Sequence, residues 1–315
     1  MSPKERIIAA LELREPDDIV PTFEFSFALT KECLGRDFID LRGLEGVARD
    51  RAIKSNAQMH IERAEKLDWS VITEGNVEVI GELVRMGANK KYLIAVKNGD
   101  RTYRLEDADC IITHFYDEPD EFKRRLEKDT DAVIEASKRL TGAGAECFVM
   151  GADYAGNTGT FLSPGMFAEF VAPHLHRTIE AHHQNGAYVI KHTDGDIMSI
   201  MNQILACGPD ALHSIDPTAG MDIAEVKRLV GNRVCLIGNV DCAALVQHDR
   251  TAITESARYC LRHGMPGGGY VFSSSNSIYR PMQLADYLLM LRMRGQYGSY
   301  DKKRLGRVEE GKTSI

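Results

Sequence analysis

Short apolar runs that stop abruptly in polar residues recur along this 315-residue chain, and a helical pattern or polar turn follows each one. Ala187–Asp196, AYVIKHTDGD, is the sharpest case. Tyr188, Val189 and Ile190 have the character of an enclosed strand. His192, Thr193, Asp194, Gly195 and Asp196 follow almost without a spacer, and helical spacing resumes from Ile197. Parallel α/β sheets carry their chemistry at the C-terminal ends of the strands. A histidine and two aspartates on one such turn therefore mark either a site or an ordinary Asp-Gly turn in which Asp196 caps the next helix.

The other runs repeat the pattern. Ser2-Pro3-Lys4-Glu5 is a capping box that starts a helix ending before Glu15-Pro16. Strands are predicted over 19–27 with Glu24 near the end, over 69–73 ending in Glu74, and over 147–152 ending in Asp153. Further strands over 211–215 end in Asp216, over 234–237 in Gly238-Asn239-Val240-Asp241, and over 270–272 in Ser273-Ser274-Ser275-Asn276. Helices are predicted over 43–67, 120–140, 163–184, 197–206, 223–229 and 282–293. Residues 76–116 break the rhythm. They alternate apolar and polar positions around Asn98-Gly99, which reads as an antiparallel hairpin excursion. Cys110–Tyr116 is either its last strand or a return to the main sheet.

Seven strands, or eight with 110–116, in βα alternation predict a single (β/α)8 TIM barrel over 1–315 with an inserted antiparallel hairpin. A doubly wound open sheet is the weaker fit, because no GxGxxG follows the first strand.

The strand ends gather Glu24, Glu74, Asp153, His192, Asp194, Asp216, Asn239, Asp241, Ser274 and Asn276. Acids crowded around a histidine repel one another unless a cation, a shared proton or a cationic substrate offsets them. Asp216 and Asp241 each precede a helix closely and serve equally well as caps. Capping explains Asp153 less well, since YAGNTGTFL intervenes before the next helix. As a residue of the barrel mouth, His192 is expected to contribute little to the core.

Composition narrows the function. A net charge of −7 without a basic block argues against nucleic acid. No stretch approaches the ~20 apolar residues of a membrane span. The short run Ile7–Ala10 between charges makes a poor secretory signal. Seven cysteines with no CxxC pair suit a reducing cytoplasm better than a disulfide framework.

Several segments together resemble the uroporphyrinogen decarboxylase superfamily, which includes cobalamin-dependent methyltransferases. They are ERIIAALELREPDDIVPTFEF, the stretch from GADYAGNTGTFLSPGMF to HTDGDI, DIAEVKRLVGNRVCLIGNVD, GGGYVFSSSNSI and YGSY. The resemblance implies a (β/α)8 barrel. The decarboxylases carry an Arg-rich segment after the first strand for substrate carboxylates, whereas this chain reads EFSFALTKECLGRDF there. The methyltransferase branch resembles it more closely. Its thiol-methylating members bind zinc through His-x-Cys and a late Cys. Here His192 matches the His, Asp194 stands in place of the Cys, and the last strand offers Ser274 and Asn276. A harder zinc site suited to an ether or alcohol oxygen would follow.

The resemblance thus implies a corrinoid-dependent methyltransferase acting on a small O-methyl or N-methyl compound. Without a DxHxxG-type segment here, cobalamin would arrive on a separate corrinoid protein. His192 and Asp153 would be catalytic, His192 and Asp194 metal ligands, and Glu24, Glu74, Asn239, Asp241 and Asn276 substrate-binding. The alternatives are a lyase acting on another carboxylate, which a cluster of mouth arginines would favour, and a non-catalytic barrel that binds a ligand or a corrinoid protein.

Overall fold

The computed structural model describes residues 1–97 and 117–301. Seven parallel strands form one curled sheet in sequence order: β1 Val71–Thr73, β2 Leu93–Lys97, β3 Cys147–Gly151, β4 Tyr188–His192, β5 Ala211–His213, β6 Cys235–Val240 and β7 Tyr270–Ser274. Every neighbouring pair is parallel, and helices lie between them. The gap between β7 and β1 is filled by the segment around Thr22. Phe272 N–H donates to the Pro21 carbonyl at 2.9 Å, and on the other side Ser70 N–H donates to the Thr22 carbonyl at 2.9 Å. That contact completes eight staves. Residues 19–27 make isolated bridges at Thr22 and Phe27 to the last strand region rather than the continuous strand expected. Pro21 has no N–H, so an unbroken ladder cannot run through it.

Strand side chains alternate between two apolar layers, as period-two geometry requires. Val71, Leu93, Ala95, Cys147, Val149, Ile190, Ala211, Cys235, Ile237 and Val271 point inward and pack with one another. Ile72, Ile94, Phe148, Val189, Leu212, Leu236 and Phe272 face the surrounding helices. The inner cluster also takes Ile7, Ala10 and Leu11 from the first helix, Pro3–Leu11, which closes one end of the barrel. Its start is the expected capping box: Ser2 accepts from Glu5 N–H and Glu5 reaches back to Ser2 N–H.

The reading of 76–97 is corrected. Asn76 accepts from the N–H groups of Glu78 and Val79, and Val77–Arg85 is a helix with Val79, Ile80 and Leu83 buried. Leu93–Lys97 is a parallel strand between β1 and β3, part of the main sheet rather than of an antiparallel excursion. In VEVIGELV, alternation at Val77 and Val79 coincides with helical spacing of Val79, Ile80 and Leu83, and the Asn cap decides between the two periods. Asn98-Gly99 and Cys110–Tyr116 lie outside the described residues. The helix predicted over 163–184 is divided by a π-helical turn at Phe167–Val171, and the one predicted from Ile197 begins at Met201. Among the described residues no helix is long and apolar enough to cross a membrane.

The plugging role of the first helix can be measured. Ile7 is wholly buried. Ile7→Ala should cost about 2–5 kcal/mol, the usual range for a large-to-small change in a packed core. Urea unfolding should show a lower midpoint at unchanged slope. A midpoint that does not move would show that the helix is not part of the core.

Candidate functional site

β3, β4 and β5 are held in register so that Gly151, His192 and His213 are aligned partners at their C-terminal ends. A side chain at 151 would crowd Phe25, whose ring comes within 3.2 Å of a built Cβ. The glycine leaves room for Phe25 to stack on His192 at a centroid distance of 3.9 Å. His192 is 4% exposed, so it belongs to the barrel interior rather than to a freely solvated mouth, and its removal would also cost stability. Burial, aided by the neighbouring His213, Lys191 and Lys97, holds its pKa well below the ordinary histidine value. His213, fully buried, is pushed down by burial to about 3.

Two carboxylates converge on the far nitrogen of His192. Nε2 lies 3.7 Å from Asp153 Oδ1 and 3.8 Å from Asp194 Oδ1. The turn that delivers Asp194 needs Gly195 at φ 87°, because a Cβ there would sit 2.4 Å from the Ala155 backbone. Asp194 N–H donates to Asp153 Oδ1 at 2.9 Å, and Gly195 N–H to Asp216 Oδ2 at 3.2 Å. Asn276 Nδ2 donates to Asp194 Oδ2. Asp194 Oδ1 is buried, and the Ser214 hydroxyl is close enough to the Asp194 carboxyl to act on it as a hydrogen-bond donor. Burial, reinforced by the charge of Asp153, pushes the Asp194 carboxyl up to about 7. One ligand atom from each of Asp153, His192 and Asp194 lies within 4.8 Å of the others. One imidazole nitrogen and two carboxylate oxygens suit a divalent cation such as zinc.

A cavity of about 370 Å³ shares Phe25 with this cluster. Its wall includes Glu24, Glu74, His60, Arg63 and Lys97. Glu24 accepts from Ser274 N–H at 3.3 Å and from the Ser274 hydroxyl at 2.5 Å, yet burial lifts its pKa to about 8. For Glu74, burial is outweighed by hydrogen bonds from His60 Nε2 at 2.7 Å and from the N–H groups of Gly75 and Asn76, so its pKa falls.

Two expected residues are engaged elsewhere. Asn239 Nδ2 donates to the Ile215 carbonyl at 2.6 Å and its Oδ1 accepts from the Cys260 thiol, beside a separate cavity of about 300 Å³. Asp241 accepts from Ala243 N–H at 2.7 Å and caps Cys242–Val246. Neither lines the larger cavity. Asp216 caps the turn at Pro217–Ala219 and also braces Gly195. His213, Phe25, Lys97, and the trio Asn56, His60 and Arg63 belong to the site and its cavity without standing out among the strand-end residues of the sequence. That trio interrupts the buried stripe of the helix Gly46–Leu67 at spacings of four and three. Polar residues at helical spacing within an apolar stripe were the available signal.

The chain is 31% identical over 183 residues to a uroporphyrinogen decarboxylase of Aromatoleum aromaticum, covering 55% of this chain and 47% of that protein. It is 26% identical over 235 residues to one of Neisseria gonorrhoeae, covering 70% and 62%. It thus spans about half the length of most of the curated relatives it matches. A solved structure, a methyltransferase from Methanosarcina mazei, shares the fold at TM-score 0.74 and 16% identity, covering 94% of this chain and 99% of that one. The family model for uroporphyrinogen decarboxylase matches residues 104–297, more than half of the sequence, and the chain therefore belongs to the uroporphyrinogen decarboxylase family.

Proposed function

We propose that this chain is a corrinoid-protein-dependent methyltransferase that moves a methyl group between a small O-methyl or N-methyl compound and cobalamin carried by a separate protein in the cytoplasm. The observation that carries the reading is the unbalanced cluster of Asp153, His192 and Asp194 beside a 370 Å³ cavity. In an SN2 transfer the bond from methyl carbon to oxygen or nitrogen breaks as the new bond forms. The difficulty lies in the charge left on the departing atom. A divalent ion bound by His192, Asp194 and Asp153 would supply Lewis acidity there. The side chains of this chain do the rest. Asp153 orients the Asp194 backbone, and Asn276 holds the second Asp194 oxygen. Glu24, uncharged at neutral pH, can donate a proton or hydrogen bond from the cavity wall. Phe25 covers the His192 ring against water.

A second reading, a lyase acting on a carboxylate, has the cavity residues Arg63 and Lys97 in its favour. The two separate in one assay. Purified protein should methylate added corrinoid protein from a methoxy or methylamine donor without releasing carbon dioxide. Methyl turnover in a corrinoid-free mixture, or decarboxylation in place of transfer, would sink the proposal.

His192→Ala should lower turnover per folded molecule by ~10² or more, the scale of losing one acid–base group. Since His192 is buried, the melting temperature should fall as well. A lowered melting temperature with near-normal turnover per folded molecule would make the histidine purely structural.

Asp194 gives a pH-dependent test. Its carboxyl titrates near 3.8 when unfolded and near 7 when folded. A raised carboxyl favours the folded state only while protonated, so metal-free stability should decline as pH rises from about 4 to about 7 and then level off. Asp194→Asn should therefore stabilise the metal-free protein at pH 8, on the order of 1–4 kcal/mol, and give no gain at pH 3. Zinc should raise the melting temperature of the natural protein and leave that of the variant little changed. A variant no more stable than the natural protein at pH 8 would show that the acid carries no penalty.

A further inference from the structure

We propose that His213 is a positioning residue: its hydrogen bond to the Ser274 carbonyl fixes the tautomer of His192 and leaves His192 Nε2 as a bare lone pair aimed at Asp153 and Asp194. The argument follows one proton along a chain of four groups. His213 Nε2 lies 3.4 Å from the Ser274 carbonyl oxygen. That oxygen can only accept, so His213 Nε2 carries the hydrogen. A neutral imidazole has one N–H, which makes His213 Nδ1 an acceptor. His213 Nδ1 is 2.7 Å from His192 Nδ1, so the hydrogen between the rings belongs to His192. Its single N–H is then used, and Nε2 is unprotonated. The opposite arrangement would set two acceptors, His213 Nε2 and the Ser274 oxygen, against each other in a buried space.

The backbone makes this chain stiff. His192 and His213 are register partners of adjacent strands, and Ser274 ends β7. Ser274 is itself tied to Glu24 through its N–H and its hydroxyl. At the far end, the Nε2 lone pair faces Asp153 Oδ1 at 3.7 Å and the buried Asp194 Oδ1 at 3.8 Å. The Nε2 lone pair and two carboxylate oxygens then meet with no ring N–H between them, which is a donor set that a cation could bind. Outer hydrogen bonds of this kind orient histidine ligands and raise their basicity. The link to zinc rests on the metal-assisted reading above; the tautomer does not.

The test uses the full chain, free of metal and labelled with ¹⁵N at its histidines. Long-range ¹H–¹⁵N correlation at pH 7.5 should show His192 protonated at Nδ1 and bare at Nε2, with the assignment made by the signal lost in His192→Ala. Zinc affinity is read by competition with a chromophoric chelator. His213→Phe keeps an aromatic ring beside Phe23 and Phe25 but removes the acceptor. It should weaken zinc by about 10–100-fold. His213→Asn, which can still accept from His192 Nδ1–H, should recover most of that loss. A natural protein with His192 protonated at Nε2 would overturn the proposal, as would equal zinc affinity across the natural protein and both variants. Should His213→Phe fail to fold, the spectrum of the natural protein still decides. A natural protein that shows the expected tautomer and binds no zinc would overturn the metal reading and uphold the tautomer.

Discussion

Two carboxyl groups and a neutral imidazole, with ligand atoms within 4.8 Å of one another, are the constraint to which the site is built. Asp153 and Asp194 share the far side of a neutral, buried histidine, and partial burial with repulsion by the charge of Asp153 raises the pKa of the Asp194 carboxyl. Much of the surrounding structure counters that repulsion with hydrogen bonds. The Asp194 N–H is given to Asp153, an Asn276 amide to Asp194, and the Gly195 N–H to Asp216. These contacts hold the acids together without neutralising them. Strain of this kind is what a functional site stores and a structural turn avoids.

The barrel makes such strain tolerable. Its interior is filled by the inward layer of the strands and closed at one end by Ile7, Ala10 and Leu11. The opposite end, where the strands finish, is left for polar groups. Closure around Thr22 matters as much as the plug. That segment runs on to Glu24 and Phe25, placing one on the Ser274 backbone and the other on the His192 ring. One extended stretch thereby completes the sheet and two walls of the cavity.

Much of this was legible in the chain. Alternation of βα units specified the barrel, and the abrupt polar endings pointed to His192, Asp194, Asp153 and Asn276, which do meet. Other features depended on information that a linear pattern does not carry. VEVIGELV satisfies two periodicities at once, and only the Asn76 cap and the burial of Ile80 and Leu83 separate them. A strand over 211–215 draws the eye to Asp216, whereas the strand stops at His213 and the inward position falls there. Asn239 stands near the end of its strand, one residue before Val240, but its amide turns to the Ile215 carbonyl and Cys260. Position along a strand limits where a side chain can be; its partners across the barrel decide what it does.

The charge of the cavity bears on which substrate it suits. Arg63 is the cavity's arginine among the described residues, and it is 7% exposed. Its guanidinium lies against the rings of Phe38 and Trp69 at 5.0 Å and is bonded to Thr30 and His60. It therefore acts as a strut between the helix and the first extended segment more than as a hand held out to a ligand. Lys97 stands over Phe25 at 4.0 Å, and ionised Glu74 offsets part of the positive charge. Glu24, with its pKa near 8, adds little charge at neutral pH. A substrate bearing several carboxylates needs clustered guanidinium forks to replace its lost hydration. This wall offers one buried guanidinium, one lysine and aromatic surface from Phe25, Phe27, Phe38 and Trp69 rather than a cluster of such forks. The paired acids Asp153 and Asp194 lie on the other side of Phe25, around His192.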